Sequence, residues 1–376
     1  MLSGDDNLAR QAITAFAASI QPDGIVCGRY PAHGIQIITG FALFWVLQVC
    51  DHMIHFDDKQ FASEFLPTIN SVLEWFERKT GNKGLVTNLP REYWSFIDWH
   101  GDWEGDEDFK DPGVPPAGRS DGTWSFMSML YAYTLERVVT LCKQVGRPAQ
   151  IDEYSSRAKR TIGAVKAHCF DGQAFTDSEA SRKGPYSQQS QVWAVLSGCI
   201  SGEDAKRLVI QAFIETNDFA VCSYPMMHYA FRALAEVDLY DQHFHALWEP
   251  WRAMLRNNLT TWEEDSVTMR SDCHEWSSLP IWEYTAEVAG LRPLEPGWSK
   301  LLFSPRLSLL PSLSASINLG KRGLAHVEWT TSQGGSMAVS IKLPENLHLI
   351  SQLPDGREVD HGVCPGVQLE FNAGGQ

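Results

Sequence analysis

Two hydrophobic periodicities divide this chain, and the change between them falls at Pro296-Gly297. Before about Gly290, apolar residues recur at spacings of three and four, the pattern of helices that bury one face. The predicted helices are Leu8–Ser19, Phe41–His55, Phe61–Lys79, Trp124–Val145, Asp152–Cys169, Gln189–Gly198, Glu203–Ile214, Pro225–Val237, Tyr240–Asn257 and Pro280–Ala289. Loops with Gly, Pro or Asp join them, so neighbouring helices are expected to pair as antiparallel hairpins.

After residue 297 the apolar residues alternate with polar ones, which is the period of strands with one buried face. The predicted strands are Leu301–Phe303, Ser314–Leu319, Ala325–Thr331, Met337–Leu343, Leu347–Leu353 and Gln368–Phe371. We therefore predict a mainly α protein, with a barrel of helical hairpins over residues 1–297. A small antiparallel β-sandwich is predicted over residues 298–376.

The charge balance narrows the choice of partners. The formal net charge is −15 and no Lys/Arg run occurs, so neither nucleic acid nor an anionic membrane surface is expected as a partner. A neutral or cationic small ligand fits better. The opening MLSGDDNLAR lacks the features of a signal peptide, and the eight cysteines are scattered without CxxC spacing. These observations predict reduced thiols and a cytoplasmic location.

The sequence predicts no cofactor and no metal. His52 and His55 have ligand spacing on a helix, but no third ligand is near them in sequence. The glycines at 101 and 105 stand in an acidic segment that would repel phosphate.

A first loop, DWHGDWEGDED at residues 98–108, interleaves acids with Trp and Gly. Its carboxylates suit the acid and base roles of glycosidic cleavage, and neighbouring indole rings would stack on a sugar and desolvate an acid. A solvated acidic loop or a calcium site is the alternative interpretation. The catalytic candidates in this loop are Asp98, Asp102, Glu104 and Asp106, and the substrate-binding candidates there and just downstream are Trp99, Trp103 and Arg119.

A second loop, LTTWEEDSVTMRSDCHEW at residues 259–276, has the same character. Glu264 is predicted to activate a water as general base, while Glu263 and Asp265 are predicted to be solvated. His274 bonds a sugar hydroxyl, positions Glu264 or is a structural histidine. The substrate-binding candidates of this loop are Trp262, Asp272, His274 and Trp276.

Several segments in order resemble one known family. They are DGIVCGRYPA, FALFWVLQV, YWSFIDW with GDW, TTWEE, RSDCHEWSS and IWEYTAEVAGLRPLEPGW. Together they resemble the catalytic domain of α-L-rhamnosidases of glycoside hydrolase family 78, within the six-hairpin glycosidases. The resemblance implies an (α/α)6 barrel followed by a β-sandwich, and inverting hydrolysis of α-L-rhamnosides without a metal.

The resemblance also assigns roles to individual residues. Glu264 stands at the general-base position, and the pair Asp102-Trp103 resembles a GDW element whose Trp stacks on the sugar. His274 and Trp276 match a subsite pair.

The family's N-terminal β domains and its general-acid motif have no counterpart here, because that motif would fall before Met1. Three interpretations stay open: a piece of a longer protein, a short form that uses Asp98, Asp102 or Glu104 as acid, or a non-hydrolytic descendant. A barrel short of two helices would expose apolar flanks, which leads to the hypothesis of a homodimer.

The leading prediction is a glycoside hydrolase-like enzyme that cleaves terminal α-L-rhamnosides or a related glycoside through paired carboxylates. One alternative is a non-catalytic barrel that binds a carbohydrate or another small molecule. Another is a cyclase or lyase of a small metabolite that reuses the acidic aromatic cleft.

Overall fold

The computed structural model describes residues 3–105, 110–179, 186–215, 218–266, 270–332, 336–352 and 356–372. The chain packs as two compact units. The larger one, called unit 2, comprises Gln11–Cys50 and Gln60–Ser277. The smaller one, unit 1, comprises Met1–Arg10, Asp51–Lys59 and Ser278–Gln376. The predicted domain boundary at residue 297 stays a prediction.

Thirteen α-helical segments lie within the described residues. They are α1 (Asn7–Ala18), α2 (Thr39–Phe56), α3 (Lys59–Glu64), α4 (Leu66–Arg78), α5 (Pro116–Asp121), α6 (Ser125–Gln144), α7 (Ile151–His168), α8 (Gln188–Leu196), α9 (Gly202–Ile210), α10 (Tyr224–Glu236), α11 (Tyr240–Leu247), α12 (Glu249–Arg256) and α13 (Leu279–Glu283). A π-helical turn extends α9 over Gln211–Glu215, and another extends α13 over Tyr284–Val288.

Each predicted helical segment contains a helix, but two of them are divided. The segment predicted at Phe61–Lys79 breaks between α3 and α4, and the one at Tyr240–Asn257 breaks between α11 and α12. In both cases a proline, Pro67 or Pro250, lies in the first turn of the second helix. Proline fits the first turn, where its missing N–H is not needed, but it would break a continuous helix.

The core of unit 2 forms around α6 and α8, where α6 packs against α7 and α8 packs against α6 and α10. Residues 188–195 of α8 are all buried, which is the behaviour of a helix surrounded by neighbours on every side. Trp193 is fully buried and makes ring contacts with Phe44, Phe126, Tyr133 and Tyr229.

Two very short strands complete unit 2: β1 (Tyr186–Ser187) pairs in parallel with β2 (Phe219–Ala220). They lead into α8 and, three residues later, into α10. The starts of these two helices are therefore brought side by side.

The described strands of unit 1 form one six-stranded sheet. They are β3 (Leu291–Pro293), β4 (Lys300–Phe303), β5 (Ser312–Asn318), β6 (Leu324–Thr331), β7 (Ser336–Gln352) and β8 (Glu358–Asn372). The order is β3-β4-β7-β6-β5, and β8 also pairs with β7. All pairs are antiparallel except β4 with β7, which is parallel.

One prediction about this sheet is wrong, because the strands predicted at Met337–Leu343 and Leu347–Leu353 are one continuous strand, β7. Pro344 suggested a break, since proline cannot donate a hydrogen bond to a sheet. In the structure it follows Lys342, the last β7 residue that pairs with β6, and the pairing with β8 shifts register between Lys342 and Leu347. The irregularity accommodates the proline without ending the strand.

Within the described residues, no helix combines the length and the apolar character needed to cross a membrane.

Candidate active site

The loop at residues 259–276 folds back on itself. The amide of Glu264 donates to the carbonyl of Ser271 at 2.8 Å, and the amide of His274 donates to the carbonyl of Trp262 at 2.8 Å. These two bonds form a short antiparallel ladder. They bring the TTWEE and RSDCHEWSS segments side by side, as the predicted pairing of Glu264 with His274 requires.

Side chains hold the backbone of this loop from a second direction. The indole N–H of Trp276 donates to the Glu264 carbonyl at 2.6 Å, and the Ser277 hydroxyl donates to the Glu263 carbonyl at 2.6 Å. The indole of Trp251 in α12 donates to the Ser277 carbonyl at 2.8 Å. The main chain at the predicted base is thus fixed by groups that leave its side chain available.

Asp265 is fully buried, so the prediction that it is solvated is wrong. Glu263 is half-buried, and the Tyr224 hydroxyl donates to its Oε2 at 2.9 Å. Burial and the Glu263 carboxylate raise the pKa of Tyr224, which keeps its proton available for this bond. Glu263 is therefore an anchor to α10.

The Glu264 carboxylate is buried, with 7% of its side chain exposed, yet no described group donates a hydrogen bond to it. An arginine and a histidine face it instead. Arg270 Nη1 lies 3.6 Å from Oε1, and His274 Nδ1 lies 3.8 Å from Oε2. Buried carboxylates normally accept several hydrogen bonds, so lone pairs left open point to a ligand or water.

An aromatic floor lies beside this carboxylate. The rings of Trp276 and Phe96 are parallel, with centroids 6.4 Å apart, and Phe96 meets Trp99 edge to face at 5.0 Å. The His274 ring lies 4.3 Å from Trp276, and the guanidinium of Arg270 lies 5.0 Å above the Trp99 ring. The two acid–tryptophan loops therefore meet here.

Trp99 itself is 4% exposed, and its indole nitrogen is buried without a hydrogen-bond partner among the described residues. A buried indole N–H usually finds an acceptor. An oxygen of a bound ligand would satisfy it.

Asp98, predicted to be catalytic, is fully buried and accepts four hydrogen bonds. The Ser223 hydroxyl and amide donate to it at 2.5 and 2.8 Å, the Gln189 amide at 2.6 Å and the Trp99 amide at 2.9 Å. Ser223 is the N-cap of α10 and Gln189 lies in the first turn of α8. Asp98 thus ties the first loop to the starts of two core helices.

Burial raises the pKa of Asp98 to about 6, against the lowering effect of the bonds from Ser223, Gln189 and Trp99. A raised pKa suits a general acid, but an acid must also reach the leaving oxygen. At zero exposure, with both oxygens bonded, Asp98 is placed to support Trp99 rather than to touch a ligand.

The remaining candidates of the first loop are divided between surface and interior. Asp102 is exposed over 93% of its side chain, and Glu104 is also exposed. Trp103 is buried, so its faces are covered in this structure, and its ring contacts His100 at 5.4 Å. Asp106 lies outside the described residues.

Arg119 donates to main-chain carbonyls rather than standing clear of the protein. Its guanidinium nitrogens bond the Val114 carbonyl at 2.7 and 3.1 Å and the Trp103 carbonyl at 3.2 Å. In the second loop, Trp262 is half-buried, and Asp272 is exposed, with its carbonyl bonded by the Thr261 hydroxyl.

Sequence reasoning gave no role to Phe96, Arg270, Gln189 or Ser223. Arg270 opens the RSDCHEWSS segment, so its signal was present. Gln189 and Ser223 stand where helices begin, and that context explains them without any reference to a loop 91 or 125 residues away.

In this helical unit, two loops join a buried carboxylate to an aromatic floor. Residues 290–364 match the bacterial alpha-L-rhamnosidase C-terminal domain.

Solved structures share the fold. Over 94% of this chain, the GH78 family rhamnosidase of Bacillus sp. GL1 superimposes with a TM-score of 0.82 at 19% identity. The α-L-rhamnosidase of Aspergillus terreus matches 96% of the chain with a TM-score of 0.72 at 17% identity. This chain covers 37% and 42% of the lengths of those two proteins.

A curated relative is 30% identical over 111 residues, which is 26% of this chain and 14% of the relative. It is the 3-O-beta-D-glucopyranosyl-beta-D-glucuronide phosphorylase of Paenibacillus borealis. The predicted fold class, an (α/α)6-type barrel of helical hairpins followed by a C-terminal β domain, is confirmed, and so is the resemblance to family 78 α-L-rhamnosidases.

Proposed function

We propose that this chain hydrolyses terminal α-L-rhamnosides, or a closely related glycoside, with inversion at the anomeric carbon, and that Glu264 is the general base. The observation that carries the proposal is the Glu264 carboxylate, buried yet bonded by no described donor. A base that must take a proton from water needs an open lone pair, and burial beside aromatic rings keeps bulk solvent away.

The other groups at the site fit sugar binding. The parallel faces of Phe96 and Trp276 suit the C–H face of a sugar ring, and the unpaired Trp99 N–H suits a hydroxyl oxygen. His274 stands between Trp276 and Glu264, where it can bond a second hydroxyl.

The partner acid is proposed among Asp102 and Glu104, because their side chains are exposed and so accessible to a ligand, unlike that of Asp98. In an inverting reaction, water attacks on one face while the acid protonates the departing oxygen on the other. We assign Asp98 a positioning role, because its oxygens already accept four hydrogen bonds.

The test is hydrolysis of an aryl α-L-rhamnoside by the wild-type protein and by Glu264→Gln. The variant should lose turnover by about 10²- to 10⁴-fold, because Gln cannot accept the proton of water. Glu275→Gln, a change to an exposed acid of the same loop, is the matched control and should leave turnover intact.

The product anomer, followed by NMR, should be the inverted one. Retention of configuration, or full turnover by Glu264→Gln, would contradict the proposed mechanism. Binding of rhamnose without any turnover would favour the non-catalytic alternative.

Phosphorolysis is a second candidate, favoured by the match to a phosphorylase. There, a phosphate oxygen attacks the anomeric carbon, the aglycone leaves with a proton from one carboxylic acid, and a sugar 1-phosphate forms. This route needs no carboxylate base, and the Arg270 guanidinium and the His274 ring could donate hydrogen bonds to the phosphate. A dependence of turnover on phosphate, with Glu264→Gln still active, would select it.

A further inference from the structure

We infer that Arg270 is a positioning residue: its guanidinium stacks on the Trp99 ring and holds the Glu264 carboxylate in place. The Arg270 guanidinium lies near both the carboxylate of the predicted base and the Trp99 ring of the first loop. For its catalytic consequence, this inference rests on the proposed function.

Arg270 attracts the Glu264 carboxylate without forming a hydrogen bond to it. Arg270 Nη1 lies 3.6 Å from Glu264 Oε1, beyond hydrogen-bond distance, so it attracts the carboxylate without occupying its lone pairs. A bidentate arginine pair would stabilise the acid more strongly but would leave it a poor acceptor for water.

Stacking over Trp99 supplies the second constraint. The guanidinium carbon lies 5.0 Å from the ring centroid, within the range of a cation–π contact, and a planar cation over a ring loses much of its rotational freedom. Asp98 in turn bonds the Trp99 amide. The order of support runs from the core helices through Asp98 and Trp99 to Arg270 and then to Glu264.

The position of Arg270 also explains why only a limited effect on folding is expected. Its side chain is 54% exposed, so the ion pair is screened by solvent and adds little to stability. Misplacing a reacting group by an ångström, by contrast, can cost about a hundredfold in rate.

The first experiment compares Arg270→Ala, Arg270→Lys and wild type on the same aryl glycoside. We expect kcat of Arg270→Ala to fall about tenfold with KM changed less than about threefold, because the base is misplaced while the floor remains. Arg270→Lys should recover part of the loss, since it returns the charge without the planar stack. Millimolar guanidinium should partly rescue Arg270→Ala.

Arg207→Ala is the matched control, since Arg207 is likewise an exposed arginine paired with a carboxylate, that of Asp204 on α9. It should leave kcat unchanged. An active wild type whose kcat survives Arg270→Ala within about twofold would overturn the inference.

A second measurement does not depend on turnover. Urea unfolding of Arg270→Ala, Glu264→Gln and the double variant should show a small coupling of about 0.5–1 kcal/mol, the size expected of a partly exposed ion pair, with the double variant losing less stability than the two losses added. Losses that add to within the error of the measurement would overturn the inference. A wild type that cleaves no glycoside refutes the proposed function instead, and the coupling alone then decides whether Arg270 holds Glu264.

Discussion

The two acid–tryptophan loops are alike in composition and different in what their carboxylates do. In the first loop, Asp98 is buried with four donors on its oxygens. In the second, Glu264 is buried with no described donor, and Arg270 and His274 lie just beyond bonding distance. Burial is therefore a poor guide to function, and the use of the lone pairs is a better one.

The comparison also separates two ways of making a cleft. In the first loop, the carboxylate of Asp98 fixes Trp99 against the helix core. In the second loop, main-chain hydrogen bonds hold the backbone so that the Glu264 carboxylate stays available. Neither loop forms the site alone, because Trp99 of the floor belongs to the first loop, whereas Trp276 and the proposed base belong to the second.

The sharpest test of this contrast compares one substitution at each acid. Asp98→Ala should lower the free energy of unfolding by about 3–5 kcal/mol, because it leaves the donors of Ser223, Gln189 and Trp99 buried without an acceptor. Glu264→Gln should leave unfolding within about 1 kcal/mol and remove activity instead. Chemical denaturation and turnover measured on both variants check it, and an Asp98→Ala protein of normal stability but no activity would restore Asp98 as a catalytic candidate.

A pH series sharpens the same contrast. Since the folded pKa of Asp98 is raised to about 6, its contribution to stability is fully present below the unfolded value of 3.8 and is lost as pH rises through 6. Relative to Asp98→Asn, the wild type should thus gain up to about 3 kcal/mol between pH 7 and pH 4.

Asp177 offers an internal comparison for that series. It is also fully buried, accepts from Ser187 and Ser190 at 2.5 and 2.6 Å at the start of α8, and has its pKa raised to about 6 by burial. Asp177→Asn should show the same window. A flat difference for both variants would mean that these acids are charged in the folded protein throughout the range.

Trp99→Phe tests whether the floor does more than pack. The change removes the unpaired N–H together with part of the buried indole ring, so we expect KM to rise about three- to tenfold and unfolding to become easier by about 1–3 kcal/mol, with kcat close to wild type. Steady-state kinetics checks this. An unchanged KM would mean that the indole nitrogen has no ligand acceptor.

Arg119→Lys should have the smallest effect. The change removes bonds to the Val114 and Trp103 carbonyls, so unfolding should become easier by about 0.5–1.5 kcal/mol while KM stays constant. A raised KM at unchanged stability would support the predicted substrate-binding role of Arg119 instead.

The helices and most strands follow from periods that a sequence displays directly. The periodicity predicts two continuous helices that in the structure are divided near Pro67 and Pro250. Pro344 predicts the end of a strand, but β7 continues through it. Proline excludes one hydrogen bond, and whether that bond is needed depends on a neighbour that lies elsewhere in the chain.

The site divides in the same way. Glu264, His274 and Trp276 lie within thirteen positions of sequence, so a local motif was enough to group them. The role of Asp98 depended on Gln189 and Ser223, which no local pattern connects to it. The sequence alone therefore predicts a catalytic role for Asp98, whereas in the structure Asp98 accepts hydrogen bonds from the starts of α8 and α10.

The anchoring of Glu263 by Tyr224 limits how this loop can change in length. Consecutive side chains in a paired segment point to opposite sides, so the anchored acid determines the side from which Glu264 emerges. Inserting one residue between Trp262 and Glu264 would turn the wrong acid toward the aromatic rings. An insertion beside Asp272 would separate Ser271 from His274 and break the pairing with Glu264 and Trp262, so a redesign of the cleft should keep the length of both segments.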